Sequence, residues 1–424
     1  MILTRGVDLG WTSSIPVYWK VVPLRYVAQI GTGHTPDRNK PQYWENCAIP
    51  WVTTPDVTKR ADGLAPLMET EQHISELGLA NSAAVLHPAD TVMLSRTASV
   101  GYSVRIGKPM ATTQAFVTWK PGPELDARYL LLVFRAMVEE WKRLAYGSTH
   151  LTIYMPDLEA LRIPLPPLDE QRRIADFLDV ETGRIDAVAA VRRVQVGLLD
   201  ERSRSIVELH LSEATNTTQK LIRALALLRD GSHQPPPRVD AGVPLLTARN
   251  LSTGKLRLTA LDTHVSDEDA VTMERSFRVT EGDVLMSVKG TIGAVAEVPR
   301  GFPRVVLDRN VAILRPQPEL MTSAWLAFAL ASASVQEQIR AAVSTVAQPG
   351  LPLGLIASLN VPTASLCEQE SVAHRIAAEL GAIDNLKEVA KTQIEVLAER
   401  RQALITAAVT GQFDVTTGRG ADLS

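Results

Sequence analysis

The chain contains itself twice. Residues 163–209 align without a gap on residues 361–407 at a constant offset of 198, with fourteen identities over 47 positions. The identical pairs include Pro164/Pro362, Glu170/Glu368, Gln171/Gln369, Glu181/Glu379, Gly183/Gly381, Asp186/Asp384, Gln195/Gln393 and Arg202/Arg400. Agreement of that density at one fixed offset marks a duplicated structural unit. Upstream the echo is weaker and gapped: residues 49–53 face 243–247, 92–101 face 284–293, and 116–121 face 311–316. The order is therefore diverged domain, matched helix, diverged domain, matched helix. Matched helices between diverged domains imply two related tasks on two different targets.

The matched segments are helices. After the proline-punctuated stretch 163–167, residues 168–211 contain no proline and are rich in Ala, Leu, Arg, Glu and Val, a start signal followed by a long uninterrupted helix. Ile174, Leu178, Glu181, Ile185, Val188, Arg192, Gln195, Leu199, Arg202, Ile206 and Leu209 fall at alternating steps of four and three, as a coiled-coil seam requires. The second copy repeats the spacing from Val372 to Ala407. Some 44 residues make a rod on the order of 65 Å. Three polar seam positions recur, Glu181/Glu379, Gln195/Gln393 and Arg202/Arg400. Either they lie on a solvated flank, or the helices pack antiparallel with Glu181 opposite Arg400 and Arg202 opposite Glu379, polar pairs that would fix register at some cost in stability.

With 424 residues the chain has room for two domains with separate cores. Apolar residues form 45% of it and mean hydropathy is near zero. No run reaches the roughly 18 apolar residues of a membrane span, and nothing at the N-terminus reads as a secretory signal, so the expected location is the cytoplasm. Cys47 and Cys367 are too few for a disulfide framework or a thiolate metal site. The net charge of −3 divides into +1 over residues 1–162, +2 over 218–365 and −6 over the remainder. Acidity thus lies on the helices, and the domains carry only a weak positive charge.

Short apolar runs at Val92–Leu94, Ala115–Trp119, Val284–Met286 and Val305–Leu314 read as strands. One helix is expected per domain, over Asp126–Leu144 and Thr322–Ala342. The fold class is α+β: two tandem mixed α/β domains with two long helices packed as an antiparallel coiled coil, related by a pseudo-two-fold repeat.

The residues now in hand resemble the specificity subunit of type I restriction-modification enzymes. The resemblance rests on the run from Ile163 to Gln171, Ile-Pro-Leu-Pro-Pro-Leu-Asp-Glu-Gln, and its altered second copy ending Leu366-Cys367-Glu368-Gln369. It rests also on Gly31-Thr-Gly-His-Thr-Pro36, Ile49-Pro-Trp-Val-Thr53, Gly282-Asp-Val-Leu-Met-Ser287, Gly290-Thr-Ile-Gly293 and the tail Thr410-Gly-Gln-Phe413. It covers nearly the whole chain, with the second domain departing at Arg229–Pro235. The resemblance implies target-recognition domains at 1–163 and 213–361, conserved helices at 164–212 and 362–412, and a tail at 413–424. It also implies that each domain reads half of a bipartite asymmetric site in double-stranded DNA. The helices would set the distance and dock two methyltransferase subunits, which carry S-adenosylmethionine, and a restriction-translocase subunit could join. Glu170, Gln171, Glu181, Arg202, Glu368, Gln369, Glu379 and Arg400 are the candidate spacer and partner residues.

No catalytic centre is expected. The chain lacks an Asn-Pro-Pro-Tyr-type methylation motif, a glycine-rich cofactor loop and a P-loop. Ser287 and Lys289 could suggest a nucleophile pair, but the repeat counterpart, Ser95 with Thr97, has no lysine. The histidines show no ligand spacing, so no metal is expected. Base-edge readers should be Arg, Lys, Asn, Gln, Ser or Thr at loops and strand ends, where bidentate hydrogen bonds carry sequence information. The first domain offers His34, Thr35, Thr53, Thr54, Asp56, Arg96, Thr97, Ser99, Tyr102, Gln114, Ser148, Thr149 and His150. The second offers Ser232, His233, Gln234, Arg249, Asn250, Lys289, Thr291, Arg309, Asn310 and Gln348. Arg96, Lys289, Arg249, Asn250, Arg309 and Asn310 stand out beside turns at repeat-matched strand ends. Trp11, Tyr18, Trp19, Tyr26, Tyr43, Trp44 and Trp51 form either a local aromatic core or a base-stacking platform, and the core reading is favoured. A rival reading of the whole is a non-catalytic coiled-coil adaptor with two protein-binding ends.

Overall fold

The computed structural model describes residues 3–60, 64–147, 151–232, 236–251, 254–344 and 350–415. The chain divides into two compact units, residues 1–192 with 392–424, and residues 193–391. The division cuts both long helices, Leu168–Ala214 and Leu366–Val409, near their middles. Each unit therefore owns one globular domain, half of the first helix and half of the second.

Both units use one topology. In unit 1 an antiparallel four-stranded sheet runs Ala28–Thr32, Phe116–Pro121, Val92–Ser95, Ser103–Arg105. In unit 2 the same order is Leu225–Asp230, Val311–Pro316, Val284–Ser287, Val295–Glu297. A smaller three-stranded sheet places Ile49–Val52 between Gln72–Ile74 and Ala111–Thr112, and Val243–Leu246 between His264–Val265 and Val306–Leu307. The run from 305 to 314 is thus two strands with a turn between, because Val306–Leu307 joins the small sheet and Val311–Pro316 the large one.

The apolar runs are continuous because the large sheet is covered on both faces. Side chains of a strand alternate between faces, and here Val92, Leu94, Val117 and Trp119 enter the main core while Met93, Phe116 and Val104 enter a second one. In unit 2 Val284, Met286, Ala312 and Leu314 face one core and Leu285, Val311 and Ile313 the other. Such strands show no polar alternation.

The helix that covers the main core is interrupted in both copies. Ala127–Ala136 gives way at Met137 to Val138–Leu144, and Ser323–Ala331 gives way at Ser332 to Ala333–Ser344. Ser332 adopts an extended backbone, and its hydroxyl accepts from Val335 N, capping the helix that follows.

The long helices are rooted in the domain cores. Ile174, Ala175 and Leu178 of the first, with Ile405, Ala408 and Val409 of the second, belong to the main core of unit 1. Val207, Leu211, Val372 and Ile376 do the same in unit 2. Within each unit the halves run antiparallel: Asp186 meets Arg401 in unit 1, while Asp200 meets Lys387 and His210 meets Glu379 in unit 2. The second helix ends at Gly411, whose φ of +70 is the left-handed conformation that closes a helix. Gln412 N and Phe413 N both donate back to Ala407 O, and Phe413 stacks on Phe177 with ring centroids 5.2 Å apart.

The expected seam is corrected by one residue at every second position. Leu178, Ile185, Leu199 and Ile206 do lie inward or half-buried, but their companions are Thr182, Ala189, Val196 and Ser203. Ala189 is 5% exposed and the expected Val188 is 48% exposed. Arg202 is exposed and therefore not a seam residue, whereas Glu181 and Gln195 are half-buried at the seam's edge. The second helix shows the same shift, with Leu380, Lys387, Ile394 and Arg401 in place of Glu379, Leu386, Gln393 and Arg400. Glu181 pairs with Arg184 on its own helix, and Glu379 takes His210 at 2.8 Å. The expected pairs Glu181–Arg400 and Arg202–Glu379 are absent among the ion pairs of the described residues. Among these residues no helix is long and apolar enough to cross a membrane.

Candidate nucleic-acid interface

In each unit one end of the large sheet collects three loops. In unit 1 the strand Val92–Ser95 leads into a turn where Ser95 N donates to Tyr102 O and Gly101 N to Ser95 O. Gly101 and Ala98 both take positive φ, +88 and +62. Arg96 N donates to Ala115 O and Ile153 N to Arg96 O, so the turn is held between the loop before the next strand and the loop at 151–153. The side chain is tied as well, with Arg96 Nε donating to Gln114 O at 3.2 Å. Thr35 Oγ1 donates to Gln114 Oε1 at 2.7 Å, and His34 N to Thr112 O at 3.0 Å.

Gly33 makes that approach possible, since a Cβ there would lie 2.0 Å from Thr112 O. Gly231 is its counterpart, with Leu307 O and Asp308 O at 2.3 and 2.4 Å from the same virtual atom. In unit 2 Ser232 N donates to Leu307 O, Val288 N to Asn310 O and Leu351 N to Val288 O. His34, Thr35, Arg96, Thr97, Ser99 and Gln114 therefore share one end of unit 1. Ser232, Lys289, Thr291, Arg309 and Asn310 share the matching end of unit 2. Lys289, Thr291 and Arg309 are exposed there. Ser148, Thr149, His150, His233, Gln234 and Gln348 lie outside the described residues.

Several expected readers are consumed by the fold. Asn250 is 4% exposed; its Oδ1 accepts from Thr247 N and Thr247 Oγ1, and its Nδ2 donates to Arg257 O and Asp262 Oδ1. Thr53 and Asp56 form the corresponding capping box in unit 1, where Asp56 Oδ2 accepts from Thr53 N at 2.8 Å and Thr53 Oγ1 at 2.6 Å. Asn250, Thr53 and Asp56 are thus internal caps, because a buried polar group must be satisfied from within. Thr54 is half-buried in the first turn of that short helix. Arg249 keeps an exposed guanidinium that donates to Leu261 O and Asp262. Burial alone would raise the Asp262 carboxyl, but hydrogen bonds from Thr259 and Asn250 outweigh it and hold the group below the usual range. Ser287 is also internal: its hydroxyl donates to Thr291 O and accepts from Ala294 N, so it is no nucleophile partner of Lys289.

The aromatics of the first 51 residues do not form a single core. Trp19 joins the main core of unit 1, and Trp51 and Trp44 a small separate one. Tyr18 and Tyr26 are exposed. One functional candidate was missed. Arg38 lies over Trp44 and Trp51 at 4.7 and 5.6 Å from the ring centroids, which fixes a cation beside His34, whose carbonyl accepts from Trp51 Nε1. A basic residue just after Gly-His-Thr-Pro in an aromatic-rich stretch was the available signal.

Gln171 and Gln369 are also corrected. Both are fully buried, so neither can offer a docking surface. Gln171 Oε1 accepts from Asp126 N at 2.8 Å, and its Nε2 donates to Glu124 O and Pro166 O, both at 2.9 Å. Gln369 repeats the arrangement with Thr322 N, Leu320 O and Ala364 O. Each amide ties the start of a long helix to the start of the domain helix. Tyr129 Oη and Trp325 Nε1 reinforce it, donating to the carbonyls of the matched prolines Pro164 and Pro362. Glu170 accepts from Tyr18 Oη, whereas Glu368 closes a capping box with Ser365.

Residues 16–187 match the family model of the type I restriction modification DNA specificity domain. The chain carries a specificity domain of that family. Over 176 residues it is 28% identical to the type I restriction enzyme MjaIX specificity subunit of Methanocaldococcus jannaschii, a match covering 41% of this chain and 39% of that one. Over 385 residues it is 19% identical to the MjaVIII specificity subunit of the same organism, covering 85% and 88%. The chain thus spans about two fifths of the first relative and most of the second. A solved chain from a study of complex assembly and conformational transition in a type I restriction-modification system superposes with a TM-score of 0.66 at 16% identity, covering 94% of this chain and 99% of that one. That superposition shows that the two chains share a fold. The matched specificity domain lies within unit 1, and unit 2 repeats its topology strand for strand.

Proposed function

We propose that the chain is the DNA-reading subunit of a type I restriction-modification complex, without a catalytic centre of its own, acting in the cytoplasm. Each globular domain, 1–163 and 213–361, reads one half of a bipartite asymmetric site through the loops gathered at one end of its large sheet. The observation that carries this reading is the duplicated specificity-domain topology, with different side chains presented at the same loops. In unit 1 these are His34, Thr35, Arg96, Thr97, Ser99 and Gln114, with Arg38 beside them; in unit 2 they are Ser232, Lys289, Thr291, Arg309 and Asn310. Differing donors on a common scaffold read different bases.

The long helices, residues 164–212 and 362–412, set the distance between half-sites and dock two methyltransferase subunits, which bring S-adenosylmethionine. Support for docking comes from outward apolar residues repeated at the offset of 198: Val188/Leu386, Val191/Val389 and Leu198/Val396 are all about half exposed or more. Repeated apolar positions on a solvent face suit a partner present twice.

The test is DNA binding by the chain assembled with its methyltransferase partner, in competition with random duplex. A preferred site should emerge in which each wrong base pair costs roughly 1–3 kcal/mol. Equal binding of every duplex at moderate salt would defeat the reading. Removing one heptad from a single helix should alter the half-site spacing and leave both half-site sequences unchanged.

A further inference from the structure

The repeat lets the two units be compared residue by residue where the domain helix meets the long helices. Gln171 and Gln369 hold the N-cap amides of Asp126 and Thr322, so Arg128 and Arg135 correspond to Ala324 and Ala331. The strand registers match Arg105, opposite Val92, to Glu297, opposite Val284. At the offset of 198, Asp179 corresponds to Ala377 and Arg401 to Ser203. Where unit 1 carries four arginines, unit 2 thus carries Glu297, Ala324, Ala331 and Ser203. Each arginine of unit 1 finds its acceptor within the unit. Arg105 meets Asp90 at 2.6 Å, Arg128 meets Asp176 at 2.7 Å and Asp179 at 3.4 Å, Arg135 donates to Ser103 O at 2.6 Å, and Arg401 donates to Asp186 at 3.0 Å.

In unit 2 the small side chains border a cavity of about 790 Å³. Its walls are largely apolar, with Ala324, Ala327, Phe328 and Ala331 from the domain helix and Ala377 and Leu380 from the second long helix. Glu297 stands among them half-buried, with no hydrogen bond or ion pair among the described residues. Burial alone pushes its carboxyl above the usual range, and no neighbouring cation offsets the effect. Three cations line the same cavity. Lys255 is held by Asp384 at 2.6 Å, Lys387 by Asp200 at 2.8 Å and Asp384 at 3.8 Å, and Arg257 is exposed. None of them lies within ion-pair distance of Glu297.

A half-buried carboxylate against apolar walls is unfavourable until a cation reaches it. An arginine suits this place, because its methylene stem packs along alanines while its guanidinium makes paired hydrogen bonds to a carboxylate. DNA does not suit it. Glu297 sits at the strand end remote from the turn that follows Ser287, and a carboxylate repels phosphate. We propose that this crevice of unit 2 receives an arginine side chain of the methyltransferase partner, paired with Glu297, whereas the matching positions of unit 1 already hold arginines of the chain itself. The two partner sites are then unequal, one using an inserted arginine and the other not. The inference rests on the docking reading given under the proposed function.

The experiment titrates the full chain with the methyltransferase partner and counts bound copies by native mass spectrometry. The parent takes two. Glu297→Gln, close in size, weakens one copy about ten-fold and leaves the other unchanged, and the salt dependence of the weakened site falls with it. Ala324→Arg combined with Ala377→Asp rebuilds the Arg128–Asp179 pair of unit 1 inside the crevice and has the same effect by occupying it. Thermal midpoints of the free variants within about 2 °C of the parent show that the fold is kept. The two routes are independent, so either variant that folds decides the matter. Two copies bound within about two-fold of the parent affinity, or equal weakening of both copies, overturn the inference and leave the docking reading standing. A parent that takes no copy removes the docking reading itself, and the inference with it.

Discussion

Replacing Gln171 by leucine tests whether the helix-opening motif is an internal clasp. The side chain is fully buried and makes three hydrogen bonds of 2.8–2.9 Å, to Asp126 N, Glu124 O and Pro166 O. Leucine is close in volume, so the cavity contribution is small. What remains is one backbone donor and two carbonyls without the amide, and a buried group deprived of its partner costs about 1–3 kcal/mol. Some relief by water or rearrangement brings the expected loss to about 2–4 kcal/mol. Urea unfolding followed by tryptophan fluorescence suits the question, because six of the seven tryptophans lie in unit 1 and only Trp325 in unit 2. With a urea slope of about 2 kcal/mol per molar, the midpoint should fall by about 1–2 M. Gln171→Glu keeps the acceptor for Asp126 N but turns a carboxylate oxygen toward two carbonyls. Its folded pKa should be raised, so that variant should gain stability as pH falls. A Gln171→Leu chain within about 0.5 kcal/mol of the parent would refute the clasp.

Asn250→Ala should destabilise unit 2 by about 1–3 kcal/mol, measured by hydrogen exchange across residues 247–262. A drop in DNA affinity without loss of protection there would restore Asn250 as a reader. Lys289→Ala and Arg309→Ala should do the reverse, leaving stability within about 0.5 kcal/mol while weakening site binding by the assembled complex. Unchanged affinity for both would remove that end of unit 2 from the interface. Burial holds the His87 imidazole below its ordinary range, despite a hydrogen bond with the Thr32 backbone that acts the other way. The unfolded chain then binds more protons just below about pH 6.5, so unit 1 should lose stability as pH falls from there toward the lowered folded pKa. His87→Gln should flatten that part of the profile, and an unchanged slope would show that other groups carry it.

The duplication, the helical nature of the matched segments and the α+β character of the domains were all legible in the residues. The recognition loops were legible in part. Lys289 and Arg309 are exposed, as their position beside turns at strand ends suggested, whereas Asn250 and Thr53, polar residues at comparable positions, serve as buried caps. Nothing in a local pattern separates a cap from a reader, since both favour short polar side chains at strand ends. Arg38 was overlooked because its placement depends on two rings, Trp44 and Trp51, brought together by folding.

The seven-residue period of the helices was set by the sequence itself. Leu178, Ile185, Leu199 and Ile206 define it however the chain folds. Which companion faces inward was not determined, because a step of three and a step of four both satisfy that period. The three-step choice gives Glu181, Val188 and Arg202; the four-step choice gives Thr182, Ala189 and Ser203. A single helix cannot prefer one over the other. Only the antiparallel neighbour decided it: small residues there leave room for the cations Arg401 and Lys387 to reach Asp186 and Asp200 across the pair.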